Sequence, residues 1–484
     1  MKKMNLLVMS LVSAAALSFT SCSSNDELDG NNAGQNKVDK FYMTLTVQTP
    51  TSNGTRTAQK NPHDASKEES YVTSGTFYLV DANGKIAKSI TIDEQAWANA
   101  KVPQQGNDGK TTLQIPVENV TAGTKYSVYF LANATSESPL TDVYTSDLAN
   151  KFAKAYSTAN KFAMFNENDA EVKANSHTVV FTSDNKDANS AAKVSDIIKI
   201  DRLTARIDEP TSEATEIKAY AEDAEATEAE KKANEDAKQA VSKVTLTRYA
   251  ISNVANKTNV MQQWADATTL SIPSDISYFQ PTSEFGTKTL LQNYGYFNAV
   301  TTEEGKEKRN DYVFENNSSD AATSMYFEYT VKLNKEYQDK ADIKDGTFYR
   351  YNKVIYSRIQ DIIDFYKDQK AIFDGKDAKT VVDELKAAKV DPDSEAKLDE
   401  FRKKYDIEVF NEGKTYYVQK IKDQYLGVEN TIQRNSIYLL NVKNIFNVGA
   451  QVPNGGPDDR TLYYLDVEVS VNPWVLNEQS VDFK

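Results

Sequence analysis

Cys22 is the residue of this chain best suited to covalent chemistry. It is the single cysteine among 484 residues, and it follows a basic start, an apolar stretch over 6–19 and the small residues Thr20 and Ser21. The apolar stretch is too short for a comfortable membrane span. A thiol in this setting is the nucleophile that takes up a diacylglycerol. This order of basic, apolar and small residues before a cysteine predicts a lipoprotein signal peptide over 1–21. The alternative is an ordinary secretory signal with an incidental cysteine.

Arg56 offers a second kind of chemistry, because a trypsin-like protease cuts the peptide bond that follows an arginine. It is the first arginine of the chain and follows the small polar residues 51–55. Such loops are preferred sites of proteolytic cleavage. A cut here would make Thr57 the new N-terminus, whereas the alternative is a loop arginine of no consequence.

The segment before this loop reads FYMTLTVQTP and alternates apolar with polar side chains. Phe41, Met43, Leu45 and Val47 share one face. This period of two predicts a β-strand with one buried side. A strand that needs a core therefore stands directly before a loop that a protease could enter.

The end of the chain repeats the same pattern. Leu465, Val467, Val469 and Val471 alternate with polar residues, and Trp474 follows. The twelve residues before this segment, GAQVPNGGPDDR, are rich in Gly, Pro and Asp and could span about 40 Å if stretched. The strand could therefore leave its own domain, although an edge strand that returns to its own sheet is the alternative.

Several function classes lack the residues that they need. The net charge is −14 without a basic cluster, so we expect no nucleic-acid partner. Two histidines and one cysteine are too few for most zinc sites, Cys-His catalysis or disulfide frameworks. The carboxylates of 391–400 lack the glycine of a calcium loop, and Asp393 is better explained as a helix N-cap. No catalytic motif is present, so the sequence predicts no metal, no cofactor and no enzyme.

The coarse pattern along the chain is mainly β. Turn residues Asn83 and Gly84 join two strands of a sandwich that extends to about 180, with a helical passage predicted over 147–165. A second set of short strands begins near 194, and a solvated helix or helical pair is predicted over 212–241.

Later helices are predicted from apolar residues at helical spacing. One helix includes Ile355, Ile359, Ile362 and Tyr366 and is closed by Gly375. Another follows the cap at Asp393. In this second helix, the apolar residues at helical spacing are Leu398, Phe401 and Tyr405.

Together these segments resemble the lipoprotein-derived fimbrillins, or type V pilins, of the Bacteroidetes, especially the larger shaft subunit of short fimbriae. The resemblance rests on Cys22, on GTR ending at Arg56, on IDRLTAR at 200–206, on RNSIYLLNVKNI at 434–445, and on the ending VEVSVNPWVLNEQSVDF. The middle of the chain matches loosely or not at all.

The resemblance implies a mainly β fold of two transthyretin-like β-sandwich domains with helical insertions. It implies that a protease removes the first strand and that a neighbour's C-terminal strand fills the groove. The corresponding division is signal peptide 1–21, propeptide 22–56, N-terminal domain 57–195, C-terminal domain 196–460 and donor-strand segment 461–484.

The expected function is that of a structural shaft subunit that supports adhesion. Its expected partners are copies of itself, anchor and tip subunits, a processing protease and, before cleavage, a lipid anchor in the outer membrane. The alternatives are a fimbrial tip or anchor subunit and a surface glycan-binding lipoprotein whose sugar platforms would use Trp97, Trp264 and Trp474.

Overall fold

The fold is described from a computed structural model. It describes residues 39–50, 63–64, 67–103, 109–134, 140–144, 147–149, 153–168, 176–221, 226–279, 297–303, 306–368, 372–423, 426–428, 430–453 and 465–475.

Strands dominate this described part of the chain, as the sequence predicts. In chain order they are β1 Lys40–Gln48, β2 His63–Asp64, β3 Gly75–Val80, β4 Ile86–Ile92, β5 Lys110–Glu118, β6 Lys125–Ala132, β7 Asp147–Ala149, β8 Ser157–Thr158, β9 Lys161–Phe162, β10 Met164–Asn166, β11 Thr178–Val180, β12 Ala192–Lys193, β13 Ile198–Arg202, β14 Ala205–Asp208, β15 Thr211–Ser212, β16 Val241–Ser252, β17 Val254–Ala255, β18 Lys257–Asn259, β19 Gln263–Trp264, β20 Leu270–Ser271, β21 Tyr278–Phe279, β22 Asn298–Ala299, β23 Asn310–Val313, β24 Ser324–Leu333, β25 Phe348–Tyr351, β26 Val354–Tyr356, β27 Glu408–Phe410, β28 Lys414–Lys420, β29 Ser436–Ile445 and β30 Leu465–Val475.

The α-helices are fewer and mostly lie between β24 and β28. They are α1 Glu94–Ala100, α2 Glu228–Ala240, α3 Lys335–Lys340, α4 Ile359–Tyr366, α5 Ala378–Val390 and α6 Ser394–Tyr405. No helix among the residues described above is both long enough and apolar enough to cross a membrane.

The first half of the chain forms a sandwich around one apolar core. One layer is β5, β1 and the parallel strands β12 and β13, and the other contains β4, β3, β6 and β10. β13 joins the layers, because it pairs with β1 at Ile198 and Lys199 and with β10 from Ile200 onward. The predicted turn is confirmed: Gly84 has φ +80° between β3 and β4, where a tight hairpin needs a positive φ.

The second half forms another pair of sheets. One contains β2, β30, β29, β14 and β23, and the other contains β22, β16, β24 and β28. Apolar side chains from both sheets form a shared core. The mainly β, sandwich-type fold predicted from the sequence is thus confirmed.

β29 connects the two cores. Ile437 packs into the first core, while Tyr438, Leu440 and Val442 pack into the second. The outer face of β3 and β6 is also covered, by Val260, Met261 and neighbouring residues from the second half. β29, which is the pairing partner of β30, is therefore in contact with the sandwich that contains β1.

The helical passage predicted over 147–165 is wrong. The described residues there form β7, β8, β9, β10 and one short 3-10 turn. β7 pairs with β18, about a hundred residues later in the chain, and β10 inserts between β6 and β13. Pairing between distant segments overrides the local helical preference.

The prediction over 212–241 is partly wrong. Ser212 belongs to β15, which pairs with β29, and α2 begins only at Glu228. α2 is not a fully solvated helix, since Ala233, Ala237 and Ala240 are buried. Their small side chains let the helix pack closely against the second core.

The later helices match the prediction in part. α6 begins after Asp393 and buries Leu398, Phe401 and Tyr405, as predicted. Ile355, however, lies in β26, and Gly375 ends a separate 3-10 turn instead of closing α4. The helices α4, α5 and α6 share a core of their own with β25 and β27.

Candidate strand-exchange site

β1 presents one face to the first core along its whole length. The four side chains predicted to be inward, Phe41, Met43, Leu45 and Val47, are 1%, 0%, 2% and 1% exposed. The intervening side chains are only partly buried or exposed. The interpretation of FYMTLTVQTP as a strand with one buried face is confirmed.

β1 is an inner strand with neighbours on both sides. All nine of its residues pair antiparallel with β5, from Lys40 opposite Glu118 to Gln48 opposite Lys110. On the other side it runs parallel to β12 at Met43 and Thr44, and to β13 at Val47 and Gln48. Removing β1 would therefore leave a strand-shaped slot with a backbone edge on each side.

Polar contacts on the outer side fix the register of β1. Thr46 Oγ1 and Thr112 Oγ1 lie 2.7 Å apart. The Val194 amide donates to the Thr44 carbonyl oxygen at 3.0 Å. Lys186 Nζ lies 2.5 Å from Asp39 Oδ1, but this pair is largely exposed and contributes about 0–1 kcal/mol. Most of the stabilisation of β1 thus comes from its buried face and its two ladders.

β30 occupies the C-terminal sheet as an antiparallel partner of β29. Val467, Val469 and Val471 stand opposite Val442, Leu440 and Tyr438. Leu465, Val467 and Val469 are partly buried and pack against the second core. Val471 and Trp474 belong to the strand, but their side chains lie outside the description. The chain thus holds the predicted donor strand in its own sheet.

The other edge of β30 meets the segment that follows the predicted cleavage loop. β2 runs parallel to the end of β30, with His63 opposite Trp474 and Asp64 opposite Val475. This pairing could not be predicted, because a strand of two residues has no recognisable period. β2 links the N-terminal loop region to the predicted donor strand.

A buried charged cluster holds the residues just after β2. Arg206 NH1 donates to both carboxylate oxygens of Glu69, at 3.2 and 3.1 Å, and its Nε donates to Asp208 at 2.5 Å. The hydroxyl of Tyr312 donates to Glu69 at 3.1 Å. Burial, together with the Glu69 charge, raises the pKa of Tyr312 above its usual range.

Arg202 extends this cluster to β29. Its Nε donates to the Glu69 carbonyl oxygen at 2.8 Å, its NH2 to Ser70 Oγ at 2.7 Å and its NH1 to Asn435 Oδ1 at 2.8 Å. Complete burial lowers the pKa of Arg202 to about 10, against the raising effect of Glu69 and Asp201. Arg202 and Arg206 belong to IDRLTAR, yet their partner Glu69 is 133 residues from Arg202, so the sequence could not identify it.

Three predicted site residues, Cys22, Arg56 and Thr57, lie outside the described residues. Their lipidation and cleavage remain predictions. Within the described ranges, no group of three or more His, Cys, Asp or Glu side chains is arranged to hold a metal ion.

Of the three tryptophans predicted as alternative sugar platforms, Trp97 and Trp264 have described side chains, and neither of these is fully exposed. Trp97 is 2% exposed and stacks on Phe130 with ring centroids 5.6 Å apart. Trp264 is half-buried and donates its indole N–H to the Asn168 carbonyl oxygen at 2.7 Å. Trp97 is therefore a core residue, because a sugar could not reach its face.

A pocket lies between α2 and the β25–β26 turn. Glu408 forms its floor with Arg350, whose Nε and NH2 lie 2.6 Å from the two carboxylate oxygens. Arg350 also donates to the carbonyl oxygens of Val448 and Gly449. Since Glu408 and two carbonyl oxygens already accept four hydrogen bonds from Arg350, this pair attaches β25 and β27 to the residues after β29.

The family comparison concerns the C-terminal part of the chain. Residues 408–480 match the family model "Major fimbrial subunit protein type IV, Fimbrillin, C-terminal". The match contains β28, β29 and β30, so the predicted resemblance to fimbrillins is confirmed over the sheet that holds the candidate donor strand. It supports the coarse role of a fimbrial subunit at the cell surface.

Solved structures with some similarity come from Parabacteroides distasonis and Porphyromonas gingivalis. A proposed cell adhesion protein of Parabacteroides distasonis has 13% identity and a TM-score of 0.45, with 90% of this chain and 98% of that chain covered. A fimbrial assembly protein of the same species has 14% identity and a TM-score of 0.30, with 61% and 85% covered. The fimbrial anchor protein Mfa2 of Porphyromonas gingivalis has 10% identity and a TM-score of 0.24, with 60% and 78% covered. No curated protein sequence matches the chain.

Proposed function

We propose that this chain is a structural, non-enzymatic subunit of a fimbrial shaft that polymerises by donor-strand exchange. The observation that carries the proposal is the position of β1. It is an inner strand, buried on one face and paired on both edges, yet it lies at the N-terminal side of the predicted cleavage loop. A single cut would make this strand a separate peptide.

The size of the exposed core explains why a vacant slot would be refilled. Each of the four inward side chains of β1 contributes about 1.5–3 kcal/mol by burial, or roughly 6–12 kcal/mol together. The unpaired edges of β5 and of β12 with β13 would add backbone groups that need partners. An incoming strand restores both contributions, as in other complexes formed by strand addition.

β30 has the features that a donor needs. Its alternating apolar residues Leu465, Val467, Val469 and Val471 have the same spacing in the sequence as Phe41, Met43, Leu45 and Val47. A strand that entered the slot in the direction of β1 would bring these four side chains to the four vacated positions. Repetition from one subunit to the next gives an open filament, because the donor and acceptor surfaces differ.

The proposed maturation has two covalent steps. Cys22 is lipidated, which anchors the precursor in the outer membrane, and a protease then cuts between Arg56 and Thr57. The mature subunit starts at Thr57, binds copies of itself and meets anchor and tip subunits in a surface fimbrium that supports adhesion. Labelling with a fatty-acid analogue should mark the wild type and leave Cys22→Ala unlabelled; equal labelling would contradict the lipidation step.

Digestion of the purified full-length precursor tests the cleavage step. Limited treatment with a trypsin-like protease should yield Thr57 as the new N-terminus, release the peptide that contains β1 and produce multimers that resist mild denaturant. The matched control is Arg56→Ala, which should remain a monomer under the same treatment. Equal polymerisation of the two proteins would show that Arg56 is not the trigger.

A further inference from the structure

The residues that follow the proposed cut are attached to the molecule at two points of unequal strength. At one point Glu69 and Ser70 bind Arg202 and Arg206. At the other point β2 pairs with only the last two residues of β30. We call residues 63–64 and 67–70 the latch segment.

The arginine attachment is the stronger point. Glu69 is 4% exposed, and Arg206, which binds its carboxylate, is 9% exposed. Separating a buried carboxylate from its guanidinium partner would leave uncompensated charges in the interior, which is strongly unfavourable. The cluster also includes Asn435, which immediately precedes β29. The latch segment is thus firmly attached at the position where β29 begins.

The attachment of β2 to β30 is the weaker point. Two paired residues at the edge of a sheet form few hydrogen bonds, and such short edge pairings open locally at little cost. On its other edge, β30 pairs with β29 along nine register positions. β2 therefore adds a small extra restraint at the end of the strand that has to leave.

From this arrangement we infer that the latch segment restrains the release of β30, and that cleavage after Arg56 weakens the restraint. This inference rests on the proposed function and assigns a regulatory contact to the same site. In the uncut chain, β2 is tied on one side to β1 and on the other side to Glu69.

After the cut, β2 is connected through the chain only to Glu69 and no longer to β1. The chain before β2 becomes a free end and gains conformational freedom whenever β2 detaches, so the detached state becomes more favourable. One cleavage would then open the acceptor slot and loosen the donor strand together. An uncut precursor would keep both surfaces closed, which prevents polymerisation before export is complete.

Amide hydrogen exchange measured by mass spectrometry on the full chain tests this inference without requiring polymerisation. The test variant is His63→Pro with Asp64→Pro, which removes both backbone donors of β2. We expect exchange in the peptides of β29 and β30 to accelerate about tenfold in the uncut variant relative to the uncut wild type. β5, which pairs with β1, should exchange as in the wild type.

The matched control is Gln59→Pro with Lys60→Pro, which lies between Arg56 and β2 in the sequence. It should exchange like the wild type. Cleaved wild type, measured directly after cleavage and at a concentration too low for multimers to form, should approach the exchange rate of the uncut test variant in β30. If the test variant exchanges like the wild type, or if the control accelerates β30 equally, the inference is overturned.

A cross-link gives a second, independent variant. Asp64→Cys with Val475→Cys joins two residues that face each other across the strand pair, in a Cys22→Ala background that leaves no other thiol. Oxidation should slow exchange in β30 beyond the wild-type value, and reduction should reverse it. Unchanged exchange in the oxidised protein would also overturn the inference.

Failure of the proposed function would look different. If exchange follows the expectations above but cleaved wild type never polymerises, β2 does restrain β30, and the proposed polymerisation by donor-strand exchange is wrong. If cleaved wild type polymerises and exchange in β30 is unaffected by β2, donor-strand exchange stands and the latch does not.

Discussion

β1 and β30 have nearly the same sequence pattern but different positions in their sheets. β1 lies between two neighbours and buries its inward side chains to 2% exposure or less. β30 has one full neighbour, a two-residue contact on its other edge, and only partly buried side chains over Leu465 to Val469. The inner strand is costly to lose, whereas the edge strand costs less to detach. This asymmetry favours the transfer of an edge strand into a vacant inner slot.

Charge substitution on the inward faces should give the largest difference between the two strands. Leu45→Asp places an unpaired carboxylate in the first core and should lower the free energy of unfolding of the precursor by more than about 4 kcal/mol. Val467→Asp, on the half-buried face of β30, should lower it by about 1 kcal/mol. Urea denaturation measures both values, and equal losses would remove the asymmetry.

Deleting Arg460 to Lys484 should have an intermediate effect. The second core loses the half-burial of Leu465, Val467 and Val469, so we expect the free energy of unfolding to fall by roughly 2–4 kcal/mol. The protein should stay folded because β1 still closes the first sandwich, but after cleavage it should form no filaments. Circular dichroism and electron microscopy check the two parts. An unfolded deletion variant would show that the C-terminal half cannot fold without β30, which a detachable donor strand does not allow.

Acid should weaken the sandwich of β1 through His177, with a smaller effect. Both ring nitrogens of His177 are buried without hydrogen-bond partners, and burial lowers its pKa, although Asp196 acts in the opposite direction. Because the pKa of this histidine is lower in the folded chain than in the unfolded chain, the unfolded chain takes up the proton more readily. The free energy of unfolding is therefore at its full value above pH 6.5 and decreases as the pH falls below it.

His177→Asn should make the unfolding free energy less dependent on pH between 7 and 5. The matched control is Lys199→Ala, which removes a nearby charge but keeps the histidine. Urea midpoints at several pH values measure the slope. An unchanged slope in His177→Asn would show that other groups cause the acid sensitivity.

Much of this comparison was accessible from the sequence because it depends on local periodicity. The alternation in 41–47 and 465–471 identified both strands, the turn at Gly84 identified a hairpin, and the spacing of Leu398, Phe401 and Tyr405 identified α6. These features need only neighbouring residues, so one sequence is enough to recognise them.

The features that the sequence did not show depend on distant partners. β7 forms a strand because β18 pairs with it, and α2 is buried because its alanines meet the second core. In the same way, Glu69 meets Arg202 and Arg206 only after both halves of the chain have folded. The edge position of β30 also follows from its pairing with β29, which the alternating pattern does not specify.

A mixing experiment tests the central claim, donor-strand exchange into the slot of β1, most directly. Cleaved subunits that lack Arg460 to Lys484 have a slot and no donor. Uncleavable Arg56→Ala subunits that also carry His63→Pro and Asp64→Pro have a donor released from β2 and no slot. Each protein alone should be a monomer, and light scattering of the mixture should show a 1:1 dimer that grows no further. The dimer should not form when the donor subunit carries Val467→Asp and Val469→Asp. A mixture that stays monomeric, or a dimer that forms equally well with the charged donor, would contradict the account.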